Sequence, residues 1–183
     1  GFVASTYMRG IPFINIPTSL LAMVDASVGG KTGVDLGALK NLVGVINNPQ
    51  GVVIYPDFLA TLPTEELRSG MAEMFKHGLI SDESYWHKMC NLSELTEAHL
   101  GSLIYESVVI KNEVVTQDPT EKGLRKTLNY GHTLGHAIES YCLQNPNRER
   151  LLHGEAIAIG MVLATYLSVK ELGFSMDKCD QVK

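Results

Sequence analysis

Cysteine is scarce in this sequence: Cys90, Cys142 and Cys179 are the only three in 183 residues. They are widely spaced, odd in number and form no CxxC pair, which excludes a disulfide framework and fits a reduced, cytoplasmic setting. Long apolar runs are also missing, so no segment reads as a membrane span, and the N-terminus has no signal-peptide pattern. Basic residues form no run or stripe, and the net charge is -5. Nucleic-acid binding, which needs a basic face, is disfavoured. An initiator Met is absent, and the chain opens as if inside a helix and stops without punctuation, so it reads as a fragment of a longer protein. What remains, 45% hydrophobic and 19% charged residues, is the composition of a globular protein with a core.

The periodicity changes along the chain. Ile11 to Pro17 and Gly51 to Pro56 are short, apolar and bounded by turn formers, the signature of buried strands. Between them lie a helix expected over Ser19 to Ser27, with Ser19 as N-cap, and a glycine-rich loop from Val28 to Gly33. Beyond residue 62 helical spacing dominates, with helices expected over 64–79, 82–90, 95–118, 127–143 and 153–172. The fold class is α/β followed by all-α, with the boundary near residue 62.

Four constellations can carry chemistry. Gly29-Gly30-Lys31-Thr32 ends like a phosphate-binding loop, but Asp25 stands where the full motif needs glycine. Taken alone, a flexible turn is the better reading. Glu73, Lys76 and His77 share a helical face, and an exposed ion pair is the bland explanation. His132 and His136 stand four apart, the spacing at which two rings reach one cation, and the Glu of a metalloprotease HExxH motif is absent. Packed or surface histidines are the alternative there. His153 opens the last long helix beside Gly154 and Glu155 and is a candidate third ligand of an open zinc site, or incidental. Arg9, Lys31, Lys76, Lys111, Arg125 and Lys126 recur beside these segments, as a substrate carrying phosphate and carboxylate would require.

Taken in order, Tyr7–Ile11, Ile16–Ala22, Val24–Thr32, Lys40-Asn41, Glu73–Lys76, Arg125–Glu139 and His153–Glu155 resemble the 3-dehydroquinate synthase family of sugar-phosphate cyclases across essentially the whole chain. The resemblance implies the end of a Rossmann-like NAD-binding domain over 1–62 and a truncated helical zinc- and substrate-binding domain over 63–183. It implies conversion of 3-deoxy-D-arabino-heptulosonate 7-phosphate to 3-dehydroquinate and phosphate in the shikimate pathway, with catalytic NAD and Zn2+ or Co2+. Position by position, the ligands are Glu73, His132 and His153, and His136 becomes a substrate contact and proton-transfer residue. Spacing alone paired His132 with His136. Thr18, Ser19, Asp25 and Lys40 match cofactor-side positions; Ser19 stands where the family usually has Thr. Lys31, Asn41, Lys76, Lys111, Glu121, Arg125 and Asn129 match substrate-side positions, with Lys31, Arg125 and Asn129 also catalytic candidates. Arg9 matches a residue reaching a neighbouring subunit's phosphate site, which implies a homodimer.

The family's upstream dinucleotide fingerprint and a late lysine are not in this sequence, so the piece by itself is expected to be inactive or nearly so. Rival readings are another sugar-phosphate cyclase, a metal-dependent polyol dehydrogenase of the glycerol-dehydrogenase type, and a non-catalytic helical metal-binding module.

Overall fold

The computed structural model describes all residues except 38, 92–96 and 146, and leaves out the side chains of residues 39, 40, 97 and 98. Two small sheets and a set of helices make up the rest. Strands β1 (Ile14–Asn15) and β4 (Gly51–Val52) pair in parallel, with Ile14 opposite Gly51. Both are shorter than the apolar segments that contain them. Ile14, Ile16, Val53 and Tyr55 are more than half exposed, so these segments are not the buried strands the sequence leads one to expect. Apolar residues on both faces are the mark of a parallel strand covered on both sides; a two-residue ladder leaves those faces open.

The glycine-rich segment holds the main difference from expectation. It runs into β2 (Lys31–Leu36), which pairs antiparallel with β3 (Leu39–Ile46) in register Lys31 to Ile46, Thr32 to Val45 and Gly33 to Gly44. Gly37 turns the hairpin with a left-handed φ of 61°, a conformation glycine adopts without steric cost. The register shifts between Val34 and Leu36. There the Asp35 carboxylate accepts the Asn41 N–H at 2.7 Å, and Asn41 is itself left-handed at φ 52°. Asn tolerates this region better than most residues because its short polar side chain bonds locally. The segment after Ser19 is a π-helical turn, Ala22–Ala26, and the Ser19 hydroxyl accepts the Ala22 N–H at 3.4 Å.

The helical part follows the expected pattern closely. Helix α1 is Phe2–Thr6; α2 is Thr64–Ile80, α3 Glu83–Cys90, α4 Glu97–Gln117, α5 His132–Gln144, α6 His153–Leu172 and α7 Met176–Val182. Glu65 and Glu66 complement the dipole at the start of α2. The Asp82 carboxylate caps α3 by accepting the N–H groups of Ser84 and Tyr85. Helix α5 begins five residues later than its periodicity alone indicates, because Leu124–Asn129 forms a tighter 3-10 turn and Gly131 caps the helix at φ 78°. Helix α7, whose first turn is capped by the Ser175 hydroxyl accepting the Lys178 N–H, is not anticipated by the sequence. No helix among the described residues is long and apolar enough to cross a membrane.

The main core gathers Leu20, Met23 and Val24 with Met74 of α2, Tyr85 and Met89 of α3, and Leu103, Ile104 and Ile110 of α4. The π-helical turn is thereby packed onto the helical half, which fixes Asp25 against α2 and α4. Helices α5 and α6 approach at backbone contact. A Cβ on Gly160 would overlap the Gly131 carbonyl oxygen, and one on Gly154 would overlap that of Ser69. These glycines let α6 sit against both α5 and α2, and that places the start of α6 beside the middle of α2.

Candidate metal centre and anion-binding cavity

The two helix contacts bring three histidines together. His132 opens α5, His136 lies one turn on, and His153 opens α6. Ring centroids stand 5.2 Å apart for His132 and His136, and 5.5 Å apart for each of the other two pairs. Each ring offers a nitrogen, and these nitrogens all lie within 4.8 Å of one another. Glu73 of α2 approaches from below, its Oε1 3.7 Å from His132 Nε2 and 3.9 Å from His153 Nε2. Two ligands of a tetrahedral zinc stand about 3.4 Å apart at ordinary bond lengths, so small side-chain shifts bring these atoms to binding distance.

The protonation states suit a cation. Burial above all, then the Lys76 charge, lowers the His132 pKa to about 4; its ring is neutral at pH 7, as a ligand must be. Its Nδ1 lies 3.2 Å from the Tyr130 carbonyl oxygen. A carbonyl only accepts, so Nδ1 carries the hydrogen and Nε2 keeps its lone pair. His153 is oriented in the same way, its Nδ1 3.3 Å from Glu139 Oε2, an arrangement common behind metal-bound histidines. Glu139 had no role in the sequence reading, although it shares a helical face with His132 and His136.

Glu73 is fully buried. Its Oε2 takes an ion pair from Lys76, also fully buried, so this is not the exposed pair that spacing alone makes the bland reading. Its Oε1 has no hydrogen-bond partner among the described residues. Burial, then the nearby Asp25 charge, raises the Glu73 pKa against the pull of Lys76. A buried carboxylate oxygen with no donor is costly, and a divalent cation held by Oε1 and two histidine nitrogens removes that cost. The residues present therefore fit such an ion. Asp25, Glu73 and His77 offer a second group of donor atoms within 4.8 Å, but Lys111 and Lys76 already place ammonium groups on Asp25 and Glu73. A cation there would face two positive charges.

The histidines open onto a cavity of about 660 Å³. Lys31, Asn41, Lys76, Lys111, Arg125 and Asn129 line it together with Asp25, His132, His136 and His153. Sequence positions as far apart as Asp25 and His153 thus converge on one space. Its charges are interlocked. Lys111 Nζ lies 2.6 Å from Asp25 Oδ1 and also donates to the Asp25 backbone carbonyl. Burial works to raise the Asp25 pKa, but Lys111 and Lys76 outweigh it and hold the carboxyl well below its usual range. Lys31 pairs with Glu121, whose Oε1 accepts the Asn129 Nδ2–H at 2.6 Å. Arg125 is buried and anchored by the carbonyls of Pro119 at 2.9 Å and Gly29 at 2.8 Å, while its Nε has no hydrogen-bond partner among the described residues.

The remaining candidates lie elsewhere. Thr18 and Ser19 precede the π-helical turn that carries Asp25, outside the cavity wall. Arg9 is exposed and left-handed at φ 67°. The Lys40 side chain lies outside the described residues.

Comparison with known proteins supplies the context. Residues 1–69 match the family model for the 3-dehydroquinate synthase N-terminal part, and residues 70–183 match that for the 3-dehydroquinate synthase C-terminal part. Among curated relatives, a 3-dehydroquinate synthase of Parabacteroides distasonis is 49% identical over 100% of this chain and 52% of its own length. One of Streptococcus gordonii is 47% identical over 93% of this chain and 48% of its own. The chain thus spans about half the length of these relatives. Among solved structures, 2-epi-5-epi-valiolone synthase from Streptomyces hygroscopicus, with NAD+ and Zn2+ bound, superposes with a TM-score of 0.87 at 32% identity, over 100% of this chain and 51% of that one. A 2-deoxy-scyllo-inosose synthase complexed with carbaglucose-6-phosphate, NAD+ and Co2+ gives 0.84 at 29% identity, over 99% and 49%. Two family models in sequence order, relatives near half identity and these two cyclase structures converge on one assignment: the chain belongs to the 3-dehydroquinate synthase family.

Proposed function

We propose that the whole protein is a 3-dehydroquinate synthase, which converts 3-deoxy-D-arabino-heptulosonate 7-phosphate to 3-dehydroquinate and phosphate in the cytoplasm, with NAD and a divalent metal, Zn2+ or Co2+. The observation that carries this is the unpartnered Glu73 Oε1 facing His132 and His153 at the edge of a cavity lined by lysines and Arg125. In this reading Glu73, His132 and His153 hold the metal. It supplies Lewis-acid polarisation of the hydroxyl being oxidised, and NAD supplies the redox chemistry.

The chain's own residues bind and orient. Lys31, Asn41, Lys76 and Lys111 hold the phosphate, for which Lys31 leaves Glu121 and Lys111 shares Asp25. Arg125 meets the substrate carboxylate through its remaining N–H groups. His136, beside the metal ligands and open to the cavity, moves a proton at the reacting carbon. Asn129 orients the substrate from the Glu121 side. Much of the rate comes from holding one flexible substrate in place. Thr18, Ser19, Asp25 and Lys40 face the cofactor, the chain divides near residue 62, and exposed Arg9 reaches the phosphate site of a second copy in a homodimer.

The test is phosphate release from the heptulosonate phosphate by the full-length protein with NAD, with and without a chelator. Chelator-sensitive release without NADH build-up is the expected result. NADH accumulating on a simple polyol with no phosphate release overturns the reading in favour of a dehydrogenase.

A further inference from the structure

The segment after α4 carries two candidate substrate-side residues, Glu121 in the loop and Arg125 in the 3-10 turn that follows it, and its shape depends on a residue outside the cavity. Helix α4 ends at Gln117, and the Asp118 N–H still donates to Val114 at 3.1 Å. The Asp118 carboxylate then collects three backbone donors from the returning chain. Its Oδ1 accepts the Lys122 N–H at 2.9 Å, and its Oδ2 accepts those of Gly123 at 2.7 Å and Arg125 at 3.1 Å. The Asp118 backbone carbonyl accepts the Glu121 N–H at 3.3 Å.

Within that clasp Glu121 sits at φ 59°. A glutamate in the left-handed region persists only where its surroundings impose it. What it gains is reach: its carboxylate meets both Lys31 and Asn129. At the other end of the clasp, Arg125 is held so that its guanidinium bridges the carbonyls of Pro119 and Gly29, the latter two residues before the hairpin. One carboxylate thus sets the positions of groups from three separate segments.

We propose that Asp118 is a positioning residue of this site: by clasping the 118–125 segment it presents Arg125 to the cavity and holds Glu121 against the cavity-lining Lys31 and Asn129, and so governs the binding of the anionic substrate. The proposal rests on the cyclase reading above. Among the described residues, the Asp118 carboxylate bonds to backbone N–H groups of its own segment and to no cavity side chain, so the effect is indirect. A plain helix stop would lower stability and leave substrate binding alone.

Asp118→Asn keeps one acceptor oxygen and turns the other into a donor that faces backbone N–H groups; Asp118→Ala removes both. The experiment compares full-length parent, D118N and D118A, loaded with metal and NAD, in phosphate release. The expected result is a KM raised about tenfold in D118A and less in D118N, with kcat within about threefold. Amide hydrogen exchange at Lys122 and Gly123 quickens in both variants, and the visible spectrum of the cobalt-substituted protein stays that of the parent. An unchanged KM in both variants, with only thermal stability lowered, overturns the proposal, as does loss of kcat at constant KM. If the parent releases no phosphate, the cyclase reading fails. The clasp is then judged by inorganic phosphate binding in calorimetry, where a roughly tenfold weaker D118A supports it and equal affinity overturns it.

Discussion

Glu73 and Lys76, one helical turn apart on α2, are both fully buried, and their ion pair satisfies one carboxylate oxygen while the other has no donor among the described residues. Removing Glu73 leaves the buried Lys76 with the more distant Asp25 carboxylate, at 4.0 Å, and removing Lys76 takes from the buried Glu73 its ion-pair partner. Glu73→Ala is expected to destabilise the chain by about 3 kcal/mol or more, and adding Lys76→Met to recover most of that loss. Chemical denaturation of the metal-free protein measures both. Cobalt binding should be lost in the single and the double variant alike, because Oε1 is gone from each.

The contact between His153 and Glu139 fixes which nitrogen of His153 faces Glu73. Glu139→Gln can still accept at one atom but no longer offers a carboxylate to the imidazole. Metal affinity is expected to fall about 10- to 100-fold. A competition titration against a chromophoric chelator reads this, and an unchanged affinity would assign Glu139 to packing alone.

His77 is buried with its Nδ1 2.7 Å from the Ser107 hydroxyl, and burial, then the Lys76 charge, lowers its pKa from 6.5 to about 3. The unfolded chain therefore takes up a proton below pH 6.5 that the folded chain refuses until about pH 3. His77 makes no pH-dependent contribution above 6.5, and stability falls as pH is lowered across that window. Relative to the parent, His77→Gln should lose less stability on acidification, the difference growing by at most about 1.4 kcal/mol per pH unit. Urea denaturation of both proteins at intervals between pH 7 and 4 shows whether the two curves diverge.

Gly154→Ala places a methyl against the Ser69 carbonyl and is expected to push the adjoining His153 away from Glu73, and Gly160→Ala places one against the Gly131 carbonyl. Backbone atoms cannot swing aside as a side chain can, so each variant should cost about 1–3 kcal/mol. Gly154→Ala should also weaken metal binding, since the residue adjoins a candidate ligand. Thermal melts with and without zinc separate the two effects.

Much of the helical half could be read from the amino-acid order. Helix periodicity and the four-apart spacing of His132 and His136 are local properties, and α6 spans the residues its apolar pattern marks. The resemblance of ordered motifs placed the chain in its family. The hairpin from Lys31 to Ile46 was not legible, because glycine-rich sequence fits a loop as well as a strand and only cross-strand pairing decides between them. Nor does sequence show that the Glu73–Lys76 pair is buried, that Asp118 clasps its loop, or that Ser69 meets Gly154 across 85 residues. The sequence by itself determined the residue types and their helical faces. Only the tertiary structure decided which faces meet, because the close approaches at Gly131, Gly154 and Gly160 depend on how three helices pack, and that packing sets the distances at which Glu73, His132 and His153 confront one another.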